Sequence, residues 1–146
     1  MLLLEMSKLV DYCNKYGEDV YIDVLDHLLE AEFPNSPFII SFPADVLKKL
    51  DEPFTNLDRI CIVDDRISQY NYYYSEVCPS VLNSLSSNLI VKSIDNKRIT
   101  LRQIINEMIL DEHYNSDVVC GDDHRFLESL DVREDSDDIF YTFFGS

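Results

Sequence analysis

Short, dense apolar runs alternate along the chain with apolar residues at helical spacing, and this alternation narrows the fold more than any other feature. Residues 38–42 (Phe-Ile-Ile-Ser-Phe) and 59–63 (Arg-Ile-Cys-Ile-Val) are apolar blocks bounded by proline or polar breaks. Such blocks suit strands buried on both faces. Residues 88–94 and 139–144 predict two further strands, and Asp95-Asn96-Lys97-Arg98 after the former has turn chemistry.

The helical periods fall between these blocks. Leu2, Met6, Leu9, Val10 and Cys13 share one face, with Gly17 placed as a C-terminal cap. Tyr21, Val24, Leu25, Leu28 and Leu29 repeat the pattern, so the spacing predicts an N-terminal helical hairpin closed by Pro34 and Pro37. Pro43 starts a short helix through Val46, Leu47 and Leu50, and another follows Pro79. Thr100 and Gln103 match a capping box, ahead of an apolar face of Leu101, Ile104, Ile105 and Met108. The prediction there is an amphipathic helix over 101–113. Asp122 or Asp123 would cap one more short helix containing Phe126, Leu127 and Leu130.

Helices interspersed with strands give an α+β class, or a mixed α/β sandwich. The expected architecture is the N-terminal hairpin, a small, mostly buried sheet of four to five strands, and helix 101–113 packed on it. Residues 1–146 are read as a single domain, a length that suits one core. No apolar run is long enough to cross a bilayer core of about 30 Å. The opening Met-Leu-Leu-Leu-Glu lacks the basic region of a signal peptide. Cys13, Cys61, Cys78 and Cys120 have no paired spacing. The expectation is therefore a soluble protein with reduced thiols in an intracellular compartment, cytoplasmic or nuclear, and not secreted. Two alanines and three glycines against abundant Asn, Asp, Ile, Ser and Tyr suit an AT-rich genome, of viral or phage-like origin.

Charge bounds the partners. The net charge is −16, and it is unevenly distributed. Residues 1–37 hold 8 acidic and 2 basic side chains, residues 38–110 hold 9 and 8, and residues 111–146 hold 11 and 2. A like-signed surface repels phosphate polyanions, so neither direct nucleic-acid binding nor an acidic membrane is expected. Charged faces are commonly just solvated, yet repulsion among this many carboxylates destabilises a compact chain, and solubility needs fewer. A basic protein partner, such as a nucleic-acid-binding protein, accounts for the excess. Asp122, Asp123, Glu128, Asp131, Glu134, Asp135, Asp137 and Asp138, in the acidic stretch 111–138, are the candidate partner-binding residues.

Catalytic motifs are sparse. Three distant glycines exclude phosphate-cradling loops and a serine elbow, and no cofactor is expected. Cys120 and His124, with His113 upstream, are a loose candidate for a metal or thiol site, but they lack the paired spacing of a zinc site. Asp64 and Asp65 end a strand where Mg2+ is often held, the plainer reading being that Arg66 pairs with one of them. Tyr70, Tyr72, Tyr73 and Tyr74 lack the basic neighbours of a base-stacking platform and read as sheet packing or a protein contact. Three functions follow: a non-catalytic acidic protein that binds a basic surface as a nucleic-acid mimic or inhibitor, a subunit of a larger assembly, or a small metal-dependent or thiol hydrolase using Cys120, His124 and His113.

Overall fold

In a computed structural model of the chain, the structure describes residues 15, 28–66, 88–115 and 125–145. Five strands, β1 (Ile39–Ile40), β2 (Arg59–Val63), β3 (Leu89–Lys92), β4 (Phe126–Val132) and β5 (Ile139–Gly145), form one mixed sheet in the order β1-β4-β5-β2-β3. Two helices accompany them, α1 (Ala44–Leu47) and α2 (Leu101–Leu110), and residues 28–32 are also helical. The class is mixed α+β. Most of the expected N-terminal hairpin, Tyr70 to Tyr74, and the helix after Pro79 lie outside the described residues.

The sheet has one covered face. Ile40, Ile60, Ile62, Val91, Leu127 and Phe144 alternate inward, where they join Leu101, Ile104, Ile105 and Met108 of α2 in a single buried cluster. Each fully buried aliphatic side chain there is worth about 1.5–3 kcal/mol relative to exposure. Among the described residues the opposite face is not covered in this way: Ile39 is 42% exposed, Ile90 36%, Tyr141 38% and Phe143 50%. The strands at 38–42 and 59–63 are therefore not buried on both faces, as their composition implied. Only two residues of 38–42 pair, in parallel with β4.

Helix α2 begins where the sequence places it. The Thr100 hydroxyl accepts the Gln103 amide at 3.2 Å. The reciprocal half of the capping box is replaced, because Gln103 Nε2 donates to the Lys92 carbonyl at 2.7 Å and to Glu107 at 2.9 Å. The helix ends at Leu110 rather than at residue 113. Asp111 has extended backbone, and the Asn115 side chain donates to the Ile109 and Asp111 carbonyls, closing the end with a turn over 112–115. At the other end, Arg102 ties α2 to Asp51 at 2.5 Å and to Glu32.

The largest correction concerns residues 126–130, which are strand and not helix. Leu127 pairs with Phe144 and Leu130 with Thr142, both inward, with a bulge between Leu127 and Ser129. The inserted residue puts two core side chains three positions apart, which is helical spacing produced by a strand. Predicted turn chemistry is met at Asp95 (φ 54°) and Asn96 (φ 59°), the two positive-φ positions a tight hairpin turn requires.

Candidate functional site

Two places concentrate chemistry. The first lies at the carboxyl end of β2. Ile60 and Ile62 point into the core, and the same period-two alternation carries Asp64 inward, where it is 2% exposed. An aspartate placed there needs partners, since burying an unpaired charge is prohibitive. Arg66 supplies them. Its Nε lies 2.9 and 3.1 Å from the two carboxylate oxygens, a terminal guanidinium nitrogen lies 2.7 Å from Oδ2, and its backbone N–H donates to Oδ1 at 2.9 Å. The guanidinium carbon sits 3.8 Å above the Phe144 ring centroid.

His113, just past the end of α2, completes the cluster, with Nε2 2.9 Å from Asp64 Oδ2. Burial alone would raise the Asp64 carboxyl, but hydrogen bonds from His113 and Arg66, with the Arg66 charge, outweigh it and hold it below its ordinary value of 3.8. Asp64 is therefore ionised, and His113 Nε2 must carry the proton it donates. Its Nδ1 is a buried atom with no hydrogen-bond partner among the described residues. Tyr114 stacks edge-on against His113, and burial, with the Asp64 charge, pushes its hydroxyl well above 10.

Asp65 faces β5. The Thr142 hydroxyl donates to its Oδ1 at 3.0 Å and accepts its backbone N–H at 3.1 Å, so one buried threonine clips the strand end. Burial raises the Asp65 carboxyl despite these bonds. Of the two sequence readings of this pair, Arg66 does bind Asp64. Among the described residues no three His, Cys, Asp or Glu side chains gather as metal ligands. Cys120 and His124 lie outside the described residues, as do Asp122 and Asp123. The Asp64–His113 contact, 49 residues apart in sequence, was missed. Its one sequence signal is an aspartate that continues the inward alternation of an apolar strand.

The second place is the β4–β5 hairpin. Asp131, Glu134, Asp135, Asp137 and Asp138 are all exposed, while Glu128 is half-buried. Arg133 pairs with Asp135 and holds its carboxyl below 3.8. The Ser136 hydroxyl donates to Asp138, and that of Ser129 to Asp131 at 3.0 Å. Glu128 lies over Gly145, where an added Cβ would come within 2.5 Å of its carboxylate oxygen. Exposed Val132 and Tyr141 flank the acidic turn. Nearby Cys61 carries a free thiol that burial, and then the Asp138 charge, push upward, away from nucleophilic thiolate.

An apolar depression of about 530 Å³ opens between residues 28–36 and strands β1 and β4, lined by Leu29, Phe33, Phe38, Ile40 and Phe126. Among the described residues no helix is long and apolar enough to cross a membrane. No protein-family model, curated protein or solved structure matches the chain.

Proposed function

We propose that the chain is a non-catalytic interaction protein whose β4–β5 hairpin binds a basic protein surface, its carboxylates standing where nucleic-acid phosphates otherwise would. One observation carries this reading: five exposed carboxylates, Asp131, Glu134, Asp135, Asp137 and Asp138, lie on one hairpin where Arg133 neutralises only Asp135. Exposed Tyr141, paired with Asp131 on the same face of the hairpin, supplies the apolar anchor that charge alone lacks. Such a surface accelerates encounter with a basic partner more than it tightens the final complex.

The test begins with proteins captured from lysate and identified at about 50 mM and about 500 mM salt, spanning weak to strong screening. For a captured basic protein, duplex DNA should compete. Amide replacement of Glu134, Asp135, Asp137 and Asp138 should slow association tenfold or more, against little change for the exposed set Asp45, Glu52, Asp58 and Asp95. Asp51 is excluded from that set because it holds Arg102. Equal effects from both sets, or a complex indifferent to salt, would refute the reading.

A second reading, a small metal-dependent or thiol hydrolase using His113, Cys120 and His124, is favoured by His113 Nδ1, buried with no hydrogen-bond partner among the described residues. An imidazole whose other nitrogen donates to a carboxylate is how proteins commonly orient a metal ligand. Zinc analysis after reconstitution tests the metal-dependent form of this reading. About one zinc per chain, lost in His113→Ala, supports it, and no bound zinc refutes it.

A further inference from the structure

The face of the sheet left uncovered by the described residues has a charge pattern of its own. Register places Asp131 beside Tyr141, and Tyr141 beside Val63, in one row. Cys61 lies between Ile139 and Ile90 in the next. At the far corner Arg59 faces Lys92 directly. Two like charges opposite each other on neighbouring strands are destabilising, and neither has an acidic partner at ion-pair distance among the described residues. On a chain of net charge −16, this face is apolar at its centre, basic at one corner and acidic at the other.

From this pattern we infer that the open face is self-complementary and docks on the same face of a second copy of this chain. A two-fold axis between the two sheets, diagonal to the strands and passing over Cys61 and Ile139, carries Asp131 of each copy onto the Arg59–Lys92 corner of the other. Every contact then occurs twice, as a closed two-fold interface demands. The same operation lays Ile90 over Tyr141 and Val63. It also crosses the strands of the two sheets at near right angles, one of the two favoured arrangements for sheets packed face to face.

Size sets the expected strength. Five strands about 4.8 Å apart, roughly five residues long at about 3.3 Å per residue, give a face of about 20 by 17 Å. That falls below the roughly 800 Å² per partner of a standard interface, so the dimer should be micromolar and concentration-dependent. At about 0.15 M salt, charges more than about 8 Å apart are largely screened, so the acidic remainder of the chain opposes the contact only weakly.

Sedimentation velocity on the full chain, alone and at physiological salt, tests this without reference to any other partner. The wild type should pass from monomer to dimer between about 1 and 200 μM. Asp131→Lys, and separately Arg59→Glu with Lys92→Glu, should each weaken self-association about tenfold or more while leaving the melting curve folded. An equimolar mixture of the two variants should recover a heterodimer at least as tight as the wild-type dimer, because one contact is native and the other reversed in both signs. A wild type that stays monomeric to about 200 μM, single variants that dimerise like wild type, or a mixture no tighter than its components would each overturn the inference.

Discussion

Replacing Asp64 by alanine should be among the most damaging single changes in this chain, by an amount the geometry sets. The Asp64 and Arg66 side chains are 1% and 3% exposed, so the substitution takes the Asp64 carboxylate from a buried guanidinium and removes the acceptor of His113 Nε2. Breaking a buried pair in this way costs about 3–5 kcal/mol, a large share of a total stability of roughly 5–15 kcal/mol. For a chain of this length each kcal/mol shifts Tm by about 2–4 °C, so the expected loss is about 6–20 °C. Converting both partners, with Asp64→Leu and Arg66→Met, removes both charges of the pair together and keeps an apolar side chain over Phe144. The double variant should therefore be more stable than Asp64→Ala. Urea and thermal unfolding monitored by circular dichroism measure all three proteins. A loss below about 1 kcal/mol for Asp64→Ala, or a double variant worse than the single, would show that the pair is not what holds the end of β2.

The two adjacent aspartates should act oppositely with pH. Asp64 is depressed below 3.8, so its contribution is complete above that pH and is lost as the pH falls through its folded value, whereas Asp65 is raised and adds stability as the pH falls through its own folded value toward 3.8. Urea midpoints should rise on the acid side of neutrality and then fall below about 3.8, and Asp65→Asn should flatten the rise alone; an unchanged profile would count against the burial of the Asp65 carboxyl. In α2, Ile105→Asp should prevent stable folding because Ile105 is fully buried, while Thr100→Ala should cost about 1 kcal/mol as a lost cap. A near-native melt for Ile105→Asp would reverse the assigned face of the helix.

What could be read from the sequence was local. Strand β2 was placed at its observed bounds, because β-branched residues crowd between polar breaks, and Thr100 announced the start of α2 through its hydroxyl. The end of α2 was missed because the Asn115 side chain, and no glycine or proline, closes it. Residues 126–130 misled because a bulge imitates helical spacing. The open face was hidden as well, since Ile39, Tyr141 and Phe143 look like core residues until the sheet shows which side they take. Nothing local links Asp64 to His113. The acidic turn, by contrast, was visible as charge before it was visible as a hairpin.

The side chain of Gln103 has a role beyond its helix. It donates to the Lys92 carbonyl of β3, the last strand of the sheet among the described residues, where another chain's amide would otherwise bond. The opposite margin is a strand of only two residues, too short to template a neighbour. Among the described residues both margins thus carry features that disfavour lateral strand addition, a capped carbonyl at one and brevity at the other. Truncating Gln103 would reopen a direction of growth that the native chain keeps shut.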